Sequence, residues 1–405
     1  MILKFSWRYF RAKKSTNAIN IISWVSVVAI MFATASLIII LSAFNGFESL
    51  VKSLYSSFYP ELRIGPEKGK TINLTAEQLN QLRGIPGLAA ITLVAEERAL
   101  LQNGSLQTIV NIKGVDKQYP MVSGLPASMY RGEFNTGDGQ KPGLVMGVGV
   151  EQMLGLASDR SIYPVSIYLP KKNMPLSDPS AALGLSLGYP RGSFAIQTEF
   201  DNKYVITNLD FVKTYTGLGA DEFSAVEIKL DGRRNTEDAP SALKSLLGKG
   251  YSIQNRFEQN RMLYTTIRLE KLAIYGIFTL ILIVAAFNMV GALSMLVLEK
   301  KKDIQVLKAM GADHGLLQKI FLAEGMLLSF IGMAGGMAIA ILLYFLQTRF
   351  KLVPLEGATF LIDYYPVKLV MTDFLLVAST VLLIGILASW MPARRAALSV
   401  LDLRG

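Results

Sequence analysis

Residues 272–298 read LAIYGIFTLILIVAAFNMVGALSMLVL, an unbroken apolar run between Lys271 and the charged Glu299-Lys300-Lys301-Lys302. About 20 apolar residues in a helix cross a hydrocarbon core of ~30 Å, so this stretch predicts a membrane span. Three more runs share its character: residues 19–44, 316–346 and 369–390. One run lies near the start and three crowd the last third, with the polar segment Gly46 to Lys271 between them. The expected fold is an integral membrane α-helical protein with four transmembrane helices. A large mixed α+β extracytoplasmic domain would lie between the first and second helices. The first run is too long for the apolar region of a signal peptide and leads into Asn45-Gly46-Phe47-Glu48 without a small-x-small site, which predicts an uncleaved anchor.

Cationic flanks stay on the cytoplasmic side during insertion. Lys4, Arg8, Arg11, Lys13 and Lys14 precede the first run, Lys300 to Lys302 follow the second, and Arg394 and Arg395 follow the fourth. This places both termini in the cytoplasm. The expected division is a basic amphipathic N-terminus (1–18), first span (19–45), periplasmic domain (46–271), second span (272–298), cytoplasmic loop (299–315), third span (316–347), short periplasmic loop (348–368), fourth span (369–391) and cytoplasmic C-terminus (392–405). The short outer loop carries Arg349, Lys351 and Lys368, a mild bias against the charge rule.

Composition narrows the class. Hydrophobic residues make up 51% of the chain, more than in an ordinary soluble domain. The net charge of +10 is concentrated at the N-terminus, which suits an anionic leaflet better than nucleic acid. The absence of cysteine excludes disulfides, thiolate metal sites and a cysteine nucleophile. His314, the only histidine, has no companions for metal binding or catalysis and reads as a turn or membrane-surface residue. The nearest approach to a phosphate loop, Gly65-Pro-Glu-Lys-Gly69-Lys70-Thr71, is one residue short between its glycines and precedes no evident helix. No catalytic, cofactor-binding or metal residues are expected.

The intervening domain reads as two similar flanking units around a central insert of about residues 118–224. Thr75-Ala-Glu-Gln78 is a capping box opening a helix that stops near Gly84, and Asn103-Gly104 is a hairpin turn between strands 90–101 and 106–113. Residues 239–247 suggest a helix and 251–255 a strand. From Phe257 a polar run through Arg261, Arg268, Glu270 and Lys271 predicts a continuous helix into the second span. Between expected strands 165–169 and 193–199 lies a stretch punctuated by Pro170, Pro175, Pro179 and Pro190, read as a long loop. Such a loop is either a variable surface excursion or a partner-binding element.

In the inner segment, Asp303 suits an N-cap, Ile304, Leu307 and Met310 recur every three residues, and Gly311 suits a helical stop. So short a helix, about 10 Å long, is unstable alone and makes sense docked on a membrane or a partner. Lys300 to Lys302 read most simply as topology anchors. Glu324, two turns into the third span, is a candidate intramembrane functional carboxylate, or pairs with Lys319. In the first span, Ala29 and Ala33 lie four apart among Ser23, Ser26, Ser36 and Ser42, allowing either close helix packing or room for acyl chains.

The series Glu299-Lys300, Asp303-Ile304, Leu307-Lys308-Ala309-Met310-Gly311-Ala312, then Ile320-Phe-Leu-Ala-Glu-Gly325 and Gly332-x-x-Gly335-Gly336, resembles the carboxy-terminal permease domain of the FtsX and MacB superfamily. Within it, Leu41-Ser-Ala-Phe-Asn45-Gly-Phe-Glu48 is similar to the lipoprotein-releasing permeases of the Lol system. The resemblance implies a noncatalytic inner-membrane subunit of an ABC complex. Two copies of a separate cytoplasmic ATPase would use ATP and Mg, and a second permease, identical or paralogous, would complete the assembly. Lipoprotein substrates would leave the lipid bilayer for a periplasmic carrier. It implies an ATPase-coupling helix carrying Asp303, Ile304, Leu307, Lys308, Met310 and Gly311. By position it also implies a candidate carrier-binding loop with Lys171, Lys172, Met174, Pro175, Leu176, Pro179, Leu183 and Pro190. Ala33, Ser36, Asn45 and Phe47 are candidate substrate-cavity residues, a lipoprotein entering sideways between the first two spans. The alternatives are a mechanotransmission permease for efflux or envelope-hydrolase control, and, in another class, a membrane-anchored ligand-sensing receptor.

Overall fold

The computed structural model describes residues 17–171, 183–232, 239–248, 250–355 and 364–398. The chain forms two compact units: one from the segments up to Leu50, Thr265–Leu355 and from Tyr364 onward, the other from Val51–Tyr264.

The first unit is helical. Helix α1 is Asn17–Phe58. The α+β unit follows in sequence, with β1 (Leu62–Pro66), β2 (Ile72–Asn73), α2 (Ala76–Arg83), β3 (Leu88–Asn103), β4 (Leu106–Val115), α3 (Tyr119–Val122), β5 (Met129–Gly132), β6 (Gly143–Gly147) and α4 (Val148–Met153). It continues through β7 (Val165–Pro170), β8 (Leu183–Phe194), α5 (Thr198–Asp201), β9 (Tyr204–Asn208), α6 (Leu209–Thr216), β10 (Glu222–Phe223), β11 (Ala225–Leu230), α7 (Ala239–Leu247), β12 (Tyr251–Asn255) and α8 (Arg256–Gln259). Then come α9 (Arg261–Glu299), α10 (Lys301–Ala309), α11 (His314–Phe350) and α12 (Met371–Leu398). Helices α1, α9, α11 and α12 are long and apolar enough to cross a membrane.

Two helix boundaries depart from the sequence reading. Helix α1 does not stop at residue 45 but runs through Asn45-Gly46 to Phe58. The unbroken apolar run ends there, whereas the first breaker, Pro60, comes later. In the opposite sense, the continuous helix expected from Phe257 is interrupted. Asn255 and Glu258 form a capping box that starts α8, and Asn260 leaves helical geometry (φ −125°, ψ 38°) before α9 begins.

Small residues set the helix spacing in the membrane unit, as is usual where lipid supplies no hydrophobic drive between helices. A Cβ on Gly336 of α11 would lie 2.5 Å from the Met31 carbonyl oxygen of α1, and one on Gly325 would lie 2.3 Å from Ser389 Cβ of α12. Segment 364–368 crosses α1 just as tightly. A Cβ on Gly46 would meet the Pro366 oxygen at 2.2 Å, and Lys368 N donates to Ser42 O at 2.9 Å.

In the α+β unit the pairing order is β12-β1-β11-β3-β4-β9-β6-β8-β5, while β7 pairs with both β3 and β8. The pairings β3-β4-β9-β6-β8-β7-β3 therefore close a six-strand ring, and β11, β1 and β12 extend β3 as an open sheet. A closed ring leaves no free edge along its course. The capping box at Thr75 and Gln78 opens α2, and Gly104 turns the β3-β4 hairpin with φ +59°, both where the sequence places them. The long loop expected up to Pro190 is shorter than that. Leu183–Phe194 is strand β8, whose Gly184-Leu-Ser-Leu-Gly188 alternates between buried and exposed positions. Pro190 is tolerated where the β6-β8 register shifts, at a bulge. Residues 198 and 199, read as the end of a strand, instead open α5.

Candidate functional site

The turn between α9 and α11 carries the candidate coupling element. Only Lys300 separates α9 from α10, and it takes the N-cap position without a side-chain capping bond. Asp303 is therefore not the N-cap. It sits in the first turn, where a carboxylate favours the helix N-terminus, 3.3 Å from Lys300 Nζ. Gly311 ends the helix with φ +92°, as the spacing indicates. Asp313 caps α11 by accepting from Leu316 N at 2.9 Å, and His314 Nδ1 donates to the Ala397 carbonyl near the end of α12. The single histidine thus fastens the start of one span to the end of another.

The apolar face expected to anchor the helix is buried within the chain itself. Ile304 is 2% exposed, and Leu307 packs against the same membrane-unit core. Their apolar face is consumed inside the chain. The outward face presents Lys302, Val306, Ala309 and Met310, with Val306 59% and Met310 79% exposed and Lys308 half-buried at its margin. Of the residues the sequence assigns to partner contact, Asp303, Met310 and Gly311 are exposed, and Val306, not among them, is exposed beside Met310.

At the opposite ends of the spans a polar network joins three helices. Asn45 Nδ2 of α1 donates to Asp373 Oδ2 of α12 at 2.5 Å, Lys271 Nζ of α9 donates to Asn45 Oδ1 at 2.7 Å, and Lys271 lies 3.6 Å from Asp373. Asn45 is thereby a buried bridging group. Its donor and acceptor sides are both used. Ala33 is buried in helix packing, and Ser36 and Phe47 are half-buried. The structure does not gather these four residues around one cavity. Glu324 is buried at 1% exposure within α11, and Lys319 is exposed. Of the candidate carrier-binding residues, Lys171 is exposed at the end of β7, while Leu183 and Pro190 belong to β8. Lys172, Met174, Pro175, Leu176 and Pro179 lie outside the described residues.

The α+β unit contains a charged cluster that no local motif announces. Arg63 on β1, Glu227 on β11, Glu96 on β3 and Lys113 on β4 bring their charged ends together from four adjacent strands, with Arg63 opposite Glu227 and Glu96 opposite Lys113 in register. Lys113 Nζ lies 2.7 Å from Glu227 and 3.7 Å from Glu96, and Arg63 lies 3.0 Å from Glu96. The ammonium also faces the rings of Phe58 and Tyr119 at 5.0 and 5.1 Å. Burial alone would lower the Lys113 pKa, but the Glu227 and Glu96 carboxylates hold it above the usual lysine value. Nearby, Phe58 at the end of α1 stacks on Phe200, and Tyr55 donates to Glu199 at 2.7 Å. The last turns of α1 are thus built into the core of the α+β unit.

Comparison with known proteins gives this architecture a family. Residues 275–398 match the model of the FtsX-like permease C-terminal domain, and residues 23–165 match that of the MacB-like periplasmic core domain. The chain is 26% identical to the lipoprotein-releasing system transmembrane protein LolE of Haemophilus influenzae, over 97% of this chain and 96% of the relative. It is also 26% identical to the LolC protein of Neisseria meningitidis, over 96% and 95%. The pyoverdine export ATP-binding/permease protein PvdT of Pseudomonas syringae pv. tomato is 21% identical over 98% of this chain but only 58% of its own length. Among solved structures, the periplasmic region of MacB from Actinobacillus actinomycetemcomitans matches with a TM-score of 0.38 and 14% identity, covering 53% of this chain and 98% of that one. The chain thus carries an FtsX-like permease C-terminal domain and a MacB-like periplasmic core domain, and along nearly its whole length it is similar to the LolE and LolC permeases.

Proposed function

We propose that the chain is the transmembrane permease of an ABC-type lipoprotein-releasing complex in the inner membrane of a diderm bacterium. The observation that carries this reading is the end-to-end similarity to two proteins named for lipoprotein release, covering about 95% or more of each. In this reading both termini are cytoplasmic and the α+β unit is periplasmic. A dimer of cytoplasmic ATPases, using ATP and Mg, docks on the outward face of α10 formed by Lys302, Val306, Ala309 and Met310. Because a single residue separates α10 from α9, and Asp313 and His314 join it to α11 and α12, displacement of α10 moves several spans together. A second permease, identical or paralogous, completes the transmembrane pair. The Asn45-Lys271-Asp373 network fastens the outer ends of the first, second and fourth spans, so sideways entry of a lipoprotein between the first two requires it to loosen. The lipoprotein then passes to a periplasmic carrier that engages the segment between β7 and β8.

The test is reconstitution with the ATPase, the partner permease and the carrier in liposomes holding a lipidated substrate. Replacing residues 172–182 by a short Gly-Ser linker is expected to leave ATP turnover within about twofold and to abolish transfer to the carrier. Normal transfer by that variant removes the loop's role. The similarity to PvdT supports a second reading, solute efflux. ATP-driven solute export without lipoprotein release by the unaltered complex would select it.

A further inference from the structure

We propose that the membrane unit holds an anionic glycerophospholipid beside α1 and α11, with one acyl chain in an apolar cavity and its phosphate near Lys351 and Lys368. The inference requires that α1 and α11 span a bilayer, and it is independent of lipoprotein release.

The cavity has a volume of about 410 Å³ and is lined by Ile39, Ala340, Leu343, Leu352, Val353 and Val367, with Ser42 and Gln347 among its few polar neighbours. Apolar cavities of ~150 Å³ already stay dry and take up benzene, so a space this large in a lipid-bathed unit suits hydrocarbon. Gln347 makes no demand on a ligand. Its Nε2 donates to the Val353 and Tyr365 carbonyls at 3.2 and 3.0 Å, and its Oε1 accepts from Val353 N at 2.9 Å.

Ser42 differs. It is 4% exposed, and its hydroxyl finds no hydrogen-bond partner among the described residues. A buried hydroxyl without a partner is unfavourable. An ester carbonyl at the head of an acyl chain is an acceptor that matches it. Glycerophospholipids and the diacylglyceryl anchors of lipoproteins both carry that ester, and the charges beyond it separate them. Lys351 precedes the lining residue Leu352, and Lys368 follows Val367. Both are exposed, and Lys368 N is bonded to Ser42 O. These cations lie at the end of α11 opposite Lys300 to Lys302, where charge bias gives no reason for them. Lys351 Nζ lies 4.4 Å over the Tyr364 ring, which leaves its donors open to a phosphate, and a lipoprotein anchor has no phosphate to offer.

Photocrosslinking the full-length chain in vesicles of phosphatidylglycerol and phosphatidylethanolamine tests the site. Each lipid would be supplied in turn as a probe with a diazirine on its acyl chain. The phosphatidylglycerol probe is expected to label the cavity residues Leu343, Val353 and Val367 preferentially. Lys351→Gln with Lys368→Gln should lower that yield about 30-fold, since each interfacial cation contributes about fivefold and the two factors multiply. Ser42→Ala should lower it with either headgroup, and Leu343→Trp should block the cavity. Both lysines are exposed, so the charge variant keeps its fold, which elution as an unaggregated species verifies. Equal labelling by both headgroups overturns the proposal, as does labelling no stronger in the cavity than at lipid-facing Phe32 and Phe287, or labelling by a diacylglyceryl lipoprotein alone. Transfer to the carrier, measured on the same lysine variant, reports on the permease function separately.

Discussion

Replacing Glu227 by leucine probes the buried charge row most directly. The side chains of Lys113 and Glu227 are 2% and 3% exposed, so the variant leaves an ammonium in the interior without its main partner. At an effective dielectric of about 20, a charge pair at 2.7 Å attracts by ~6 kcal/mol and one at 3.7 Å by ~4.5 kcal/mol, so Glu96 retains a substantial hold on Lys113. Breaking a buried pair typically costs ~3–5 kcal/mol, and the surviving Glu96 contact places this case near ~3 kcal/mol. For a unit of this size, ~2–4 °C per kcal/mol gives a fall in Tm of about 6–12 °C. Hydrogen exchange of the detergent-solubilised full chain should show amides of β3, β4 and β11 opening about 100-fold more readily. Adding Lys113→Met removes the stranded charge and leaves Glu96 with Arg63, so the double variant should return to within ~1 kcal/mol of the parent. The electrostatic account fails if Glu227→Leu shifts Tm by less than about 2 °C, or if the double variant loses the sum of the two single losses.

On α10, Met310→Glu and Val306→Glu should abolish copurification of the ATPase while leaving membrane insertion and thermal stability unchanged. Leu307→Glu should instead lower Tm, because that side chain packs within the chain's own core. Gly46→Ala drives a Cβ into the Pro366 carbonyl, so a loss of ~1–3 kcal/mol is expected in detergent unfolding, and an unchanged Tm would contradict the close crossing. Burial pushes the Asp201 carboxyl up to about 6, above its unfolded value near 3.9. Its contribution to stability is therefore complete below pH ~4 and lost as pH rises through about 6. Asp201→Asn should flatten that part of the stability profile in urea titrations, whereas a profile unchanged by the substitution would refute the assignment.

What could be read in advance follows the range of the interactions. The spans, the Thr75-Gln78 capping box and the Asn103-Gly104 hairpin are set by neighbours in sequence and were legible there. The end of α1 was not, because Glu48 and Lys52 mark the end of the apolar surface without ending the helix. Asp303 has the chemistry of a cap, but Lys300 takes that position as α9 gives way to α10. The burial of Ile304 was not legible because apolar spacing reveals an apolar stripe and not what covers it, and here the protein itself covers it. Asn45, Lys271 and Asp373 are separated by 226 and 328 positions from Asn45, and the Lys113-Glu227 pair by 114, so only the tertiary fold brings them together.

Strand β3 belongs to both pairing systems of the α+β unit. Its first half joins β11 over Leu88 to Val94, its second half joins β4 from Val94 to Asn103, and Leu100 to Gln102 also join β7. Inter-strand hydrogen bonds lie across the strand direction. Tension along β3 therefore loads many of them at once in shear, while a force at right angles would peel them one after another. A part shaped in this way resists being drawn lengthwise and yields when pried sideways.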